Sequence, residues 1–124
     1  MQLTQFSDYS LRLVLYLAAH ADRTVSLEEV SQAYGVSHHH LVKVSQRLIA
    51  AGVIASTRGR KGGLRLARPA SEINVGKLVR TTEPNMHIVE CFDEDKNACP
   101  IDGACVLKGL LRQAHTAFMC VLDT

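Results

Sequence analysis

Between about Ser7 and Ala21 the apolar residues Leu11, Leu13, Val14, Leu15, Leu17 and Ala18 crowd too closely for an alternating strand. They predict a first helix, begun by Ser7 or Asp8, whose broad apolar girth suits the centre of a small domain or a surface shared with a partner. Ser26-Leu-Glu-Glu29 has the form of a capping box, with Ser26 accepting from the Glu29 amide and Glu29 reaching back to Ser26, so a second helix is expected over about Leu27 to Tyr34. Gly35 then supplies a turn, Val36 is apolar, and Ser37 caps a third helix that lasts until Gly52. Helix, glycine turn, helix is the helix-turn-helix pattern.

The spacing changes after Gly52. Val53 to Thr57 reads as a short strand and Leu64 to Ala67 as its partner, joined by the basic, glycine-rich Arg58-Gly-Arg-Lys-Gly-Gly63. Such a hairpin is a wing. A fourth helix follows over about Val75 to Glu83, ended by Pro84. From Cys105 to about Leu122, Val106, Leu107, Leu110, Leu111, Ala114, Phe118, Met119 and Leu122 repeat at helical spacing over about 26 Å, longer than so small a domain needs. That apolar stripe either folds back on its own domain or forms a dimer seam. Its abrupt stop at Thr124 is compatible with the loss of further residues. The expected architecture is mainly α: a winged helix-turn-helix over residues 1–84, a cysteine-rich loop over 85–104, and a long dimerisation helix over 105–124.

Charge sharpens this division. Residues 1–84 hold eleven Lys/Arg against six Asp/Glu, whereas residues 85–124 hold three against six. Within the first part, residues 36–71 carry seven Lys/Arg and no acid, so this part alone looks like a polyanion binder. With Leu41, Val44 and Leu48 turned inward, the third helix leaves His38, His39, His40, Lys43, Gln46 and Arg47 outside, and Ser37 with the first helical amides can hold a phosphate. Arg58, Arg60 and Lys61 stand on the wing for a minor groove, with Gly62 and Gly63 permitting close backbone approach. Three adjacent helical imidazoles point about 100° apart and cannot converge on one ion, so the histidine triplet is not a metal site.

Composition of 47% apolar and 21% charged residues is globular and leaves no room for a long disordered tail. No eighteen-residue apolar run and no secretory pattern is visible, so a cytoplasmic protein with reduced thiols is expected. That makes Cys91, Cys99 and Cys105 metal ligands or redox sensors rather than structural disulfides. Their x7 and x5 spacing is not the C-x2-C of zinc fingers, and Pro100, Gly103 and the charged run from Asp93 place them on a loop suited to an iron–sulfur cluster. Cys120 would lie about 22 Å along the last helix and His115 about 15 Å, leaving His87 as a local fourth ligand; Cys120 reads as a small apolar side chain. A zinc-stabilised module and a thiol–disulfide switch stand as alternatives, while an enzyme is disfavoured because no substrate pocket or attacking-thiol motif is visible.

Met1-Gln-Leu-Thr-Gln-Phe-Ser-Asp-Tyr9, Tyr34-Gly-Val-Ser37, the Arg-Gly-Arg-Lys-Gly-Gly wing, Leu66-Ala-Arg-Pro-Ala70 and the three cysteines together resemble the NsrR family of nitric-oxide-sensing iron–sulfur repressors, winged-helix proteins grouped with IscR. The likeness runs along essentially the whole chain. It implies a homodimer with crossing C-terminal helices that binds a palindromic double-stranded DNA operator and is released when nitric oxide nitrosylates the cluster. It implies a cluster of the 4Fe–4S or 2Fe–2S type held by Cys91, Cys99 and Cys105 of one subunit, with Asp8 of the other subunit in the position of the remaining ligand. IscR-like relatives use a histidine three residues after the last cysteine, where this chain has Lys108.

Overall fold

The computed structural model describes all of residues 1–124. Five α-helices run in order: α1 (Gln5–Ala19), α2 (Leu27–Tyr34), α3 (His38–Ala50), α4 (Val75–Thr82) and α5 (Val106–Leu122), with strands β1 (Ile54–Thr57) and β2 (Gly63–Leu66) between α3 and α4. The winged helix-turn-helix with a long last helix is therefore present.

Helix α1 begins two residues before the expected start, because Thr4 takes the cap and its hydroxyl accepts from the Ser7 amide. Asp8 is thus inside the first turn. Glu83, at the end of α4, accepts from both the Thr4 amide (2.8 Å) and the Thr4 hydroxyl (2.9 Å), and the Ser7 and Thr82 hydroxyls bond at 2.8 Å in the interior. Burial opposes ionisation of Glu83, but hydrogen bonds from Ser7 and from the Thr4 backbone and side chain outweigh it, so its carboxyl stays below the usual range. The start of α1 is locked to the end of α4. Leu13, Val14 and Leu17 enter the core, Phe6, Tyr9, Leu11 and Tyr16 pack partly buried against it, and only Gln5, Leu15 and Ala19 are exposed, so α1 is mostly buried as expected, with Leu15 left 64% exposed.

Ser26 caps α2 as expected, accepting from the Glu29 amide at 3.1 Å. The return arm of the capping box is not made. The Glu29 carboxylate instead meets the Arg23 guanidinium and accepts from the Tyr16 hydroxyl at 2.8 Å, which together hold its pKa down to about 2. Gly35 ends α2 at φ 63°, a left-handed conformation that favours glycine, and Ser31 bonds the Val36 carbonyl across the turn. α3 then crosses α1 and buries Leu41, Val44, Ser45 and Leu48.

The wing is an antiparallel pair with Ile54 opposite Leu66 and Thr57 opposite Gly63. Its β2 strand is also tied to the segment leading into α2, since Val25 and Leu64 exchange amide bonds of 2.8 and 2.7 Å. Twelve residues form the core, from Leu13 to Leu78, and none belongs to the segment after α4. That segment, Glu83 to Cys105, holds only turns and two short 3-10 helices (Glu90–Phe92 and Asp102–Ala104).

The C-terminal half of α5 is docked on α4. Arg80 grips the Asp123 carboxylate at 2.6 and 2.7 Å, Asn74 donates to the Asp123 carbonyl, and Met119 is buried. A Cβ added at Gly76 would lie 1.9 Å from Asp123 Oδ1, so glycine is what lets the helices approach. The other face of α5 is unpartnered. Leu107, Leu110, Ala114, Phe118 and Val121 lie along it, with Leu107, Leu110 and Val121 at least 57% exposed.

Candidate functional site: nucleic-acid interface and cysteine loop

The recognition-helix candidates divide by face. His39 and Gln46 point directly away from the Leu41–Val44–Leu48 side, Lys43 stands to one side of them beside the crossing with α1, and all three are exposed, as is His38 at the helix start. Ser37 occupies the cap position with no side-chain cap bond, so its hydroxyl and the first helical amides remain open to a phosphate. His40 and Arg47 fall on the flank instead. His40 lies against Tyr9 of α1, ring centroids 6.0 Å apart, and Arg47 donates twice to the Thr81 carbonyl at 3.2 Å, tying α3 to α4. As placed, Arg47 satisfies one of the free carbonyls that end α4 rather than standing out for a base.

On the wing, Arg58, Arg60 and Lys61 are all exposed, and none forms an ion pair with a carboxylate. The Lys61 carbonyl is held by the Thr24 hydroxyl at 3.0 Å, which fixes the tip relative to α2. Gly62 and Gly63 have a local reason to be glycine that the sequence pattern did not reveal. A Cβ at Gly62 would come within 2.3 Å of the Thr57 carbonyl oxygen, and one at Gly63 within 2.9 Å of the Val25 carbonyl oxygen. They close the wing onto itself and onto the body.

The three loop cysteines are free thiols: Cys91 and Cys105 half-buried, Cys99 exposed. Within one chain they do not close up with any other histidine, cysteine or carboxylate around a point that a single ion could occupy. Cys105 is the cap of α5, its sulfur accepting from the Lys108 amide at 3.4 Å, so this sulfur faces the free amides of a helix start. Lys108 itself, standing where a histidine ligand would be, is ion-paired with Asp102 and holds that carboxyl below its ordinary range. The backbone around Cys91 and Cys99 is shaped by short asparagine, aspartate and glutamate caps, with Asn97 accepting from the Cys99 amide and Glu90 from the Ala98 amide. No residue of this loop is fully buried. Three reduced thiols on it suit an iron–sulfur centre in donor chemistry, since soft thiolates are its usual ligands.

The fourth-ligand candidates are spread out. His87 sits 3.7 Å from the Asp93 carboxylate at the loop's start. His115 packs edge-on to Phe92, its Nε2 buried without a partner. Cys120 is exposed on α5, not packed as an apolar core residue. Asp8 pairs with Arg12 at 3.0 Å one turn along α1, and Arg12 in turn lies over the Tyr34 ring of α2. Asp8 and the exposed Leu15, seven residues apart, share one side of α1.

Residues 3–124 match the Rrf2 family, described as iron-dependent transcriptional regulators. The chain is 46% identical over 124 residues to the HTH-type transcriptional regulator NsrR of Halalkalibacterium halodurans, covering 99% of this chain and 85% of the relative. It is 44% identical to NsrR of Bacillus subtilis with the same coverage. Among solved structures it superposes on T. potens IscR with a TM-score of 0.79 at 25% identity, covering 99% of this chain and 80% of that one. It superposes equally well on CymR, the global cysteine regulator of B. subtilis, at 26% identity, covering 99% and 90%. The two NsrR relatives are named as HTH-type transcriptional regulators, not enzymes. The chain belongs to the Rrf2 family of transcriptional regulators.

Proposed function

We propose that the chain is a cytoplasmic, iron–sulfur-dependent repressor that grips a palindromic operator as a homodimer and lets go when nitric oxide reacts with the cluster. The observation that carries this is the placement of three free cysteines in one weakly packed loop, directly between a winged helix and a helix with an unpartnered apolar stripe. The names of the 44–46% identical relatives and the iron dependence of the family support it. A cluster, when bound, supplies a reactive inorganic centre with thiolate and oxygen ligands. Cys91, Cys99 and Cys105 would hold it, and Asp8 of the second subunit would complete it.

The residues of this chain explain how such a tie would reach DNA. Asp8 lies in the first turn of α1, whose start is locked to α4 by Glu83 and whose body packs on α3. Drawing Asp8 to the other subunit requires Arg12 to give up its partner, and Arg12 also touches α2 through Tyr34. The helix-turn-helix is therefore attached on both sides to the helix that carries the proposed ligand. Fixing α1 against the neighbouring subunit fixes the spacing of the two recognition helices, which a two-fold site reads. Exposed Leu15 beside Asp8 gives that side of α1 apolar surface for a second subunit to cover.

Two experiments test this. Lys43→Ala and Arg60→Ala are each expected to weaken operator binding by about 1–3 kcal/mol, roughly 5- to 160-fold, without changing iron content. Fluorescence anisotropy with anaerobic protein reads the effect, and unchanged affinity in both variants removes the DNA interface. Asp8→Ala removes only an exposed ion pair, so folding should be untouched. Anaerobic absorption spectra should nonetheless show a cluster that assembles poorly or responds differently to nitric oxide; behaviour identical to the unsubstituted protein assigns the fourth position elsewhere, with His87 next to be tried.

A further inference from the structure

Beside the recognition helix, where α1 crosses α3, an open notch of about 230 Å³ is lined by Gln5, Phe6, Tyr9, His40, Lys43 and Val44. Of these, Val44 is buried and Phe6 half-buried, whereas Gln5, His40 and Lys43 are exposed. Gln5 Nε2 donates to the Tyr9 hydroxyl oxygen at 3.0 Å, which leaves the tyrosine's own hydrogen without an acceptor. The second Gln5 amide hydrogen is likewise unused. Across the notch, one turn apart on α3, stand the His40 imidazole, tilted against Tyr9, and the Lys43 ammonium, which has no carboxylate partner. No acidic residue lines the notch.

We propose that this notch seats a phosphodiester of the DNA backbone, with Gln5 and Tyr9 as contacts from α1 and His40 and Lys43 as contacts from α3. The inference rests on the DNA-binding function proposed above and adds to it residues outside the helix-turn-helix and wing. A recognition helix in the major groove presents its outer face to base edges and its flanks to the backbones that wall the groove. His40 is on such a flank, and the notch opens beside it. Convergent donors with one free cation and no carboxylate suit an anionic oxygen and nothing apolar. His40 and Lys43 differ from His39 and Gln46 in what surrounds them: the former pair lines the notch with α1, the latter pair does not. Because Gln5 and Tyr9 come from α1, the seat exists only while α1 and α3 keep their crossing, so it registers the protein on the backbone without reading sequence.

The probe is a duplex that the full-length, anaerobically isolated protein selects from a random-sequence pool, bound to protein at low and moderate salt. Tyr9→Phe and Gln5→Ala should each weaken binding by about tenfold, as expected for loss of a hydrogen bond to a charged oxygen, with unchanged melting temperature. Neutral methylphosphonate substitutions, walked along the duplex, should reveal one phosphate per half-site whose neutralisation weakens the unsubstituted protein more than it weakens Tyr9→Phe or Gln5→Ala, while at every other phosphate the losses are equal. If both α1 variants bind at full strength while Lys43→Ala and Arg60→Ala do not, the seat is wrong and DNA binding stands. If all four bind at full strength, both fall. Weakened α1 variants whose losses equal those of the unsubstituted protein at every phosphate also overturn the seat, since the residues then act through the fold.

Discussion

Protein freed of iron by anaerobic chelation is expected to lose its operator, with affinity at least a hundredfold below that of the loaded form and circular dichroism almost unchanged. The second half of this expectation follows from the core. All twelve of its members lie between Leu13 and Leu78, and the cysteine loop contributes none, so the winged helix has no need of the loop to fold. The first half follows from two-site binding. A palindrome is read by two recognition helices at fixed separation, and binding both halves gains most of its strength from that fixed geometry. A hundredfold loss corresponds to about 2.7 kcal/mol, within the usual range of coupling between an effector and a distant site. Titration of stripped and loaded protein against one duplex, with iron and acid-labile sulfide measured on the same samples, gives the ratio. Equal affinity would end the repressor mechanism; colourless protein with stoichiometric zinc would replace it by the zinc-stabilised alternative.

What the sequence disclosed and what it withheld divide along the range of the interactions. Helices α2 and α3 were legible because their ends are set within a few residues, by Ser26 before one and by Gly35 between them. The start of α1 was misplaced because Thr4, rather than Ser7, makes the cap, and Glu83, 79 residues away, helps to hold Thr4 there. Glu29 fitted a local capping box, yet Arg23 and Tyr16 take its carboxylate, and a charged partner outcompetes a backbone amide. Arg47 was counted with the DNA-facing residues from its helical position, but only the packed structure brings the Thr81 carbonyl within its reach. The basic wing, the thiol triad and Asp8 could be named from sequence. The Asp8–Arg12–Tyr34 linkage and the notch between α1 and α3 could not, since each depends on how helices cross.

Leu110→Glu should turn the proposed dimer into a monomer. Along α5, Leu107, Leu110, Ala114, Ala117 and Val121 are spaced alternately three and four residues apart, the seam of a helix that pairs with another helix, and Phe118 broadens it. The docked edge of the same helix, with the buried Met119, faces α4, so the stripe is surplus to what one chain needs. Leu110 is 57% exposed in the single chain. A carboxylate there is solvated in the monomer, but at a helix–helix seam it would be buried beside its own symmetry mate, and burying an unpaired charge costs several kcal/mol. Light scattering should report half the mass of the unsubstituted protein at the same concentration, with operator affinity reduced by a hundredfold or more because each half-site then binds alone. Gln113→Glu, which adds the same charge to the exposed polar side of α5, should leave the mass unchanged. If Leu110→Glu remains dimeric, the subunits meet elsewhere and Asp8 loses its route to a neighbouring cysteine loop. If it is monomeric yet binds the operator undiminished, spacing between recognition helices is not what the cluster controls.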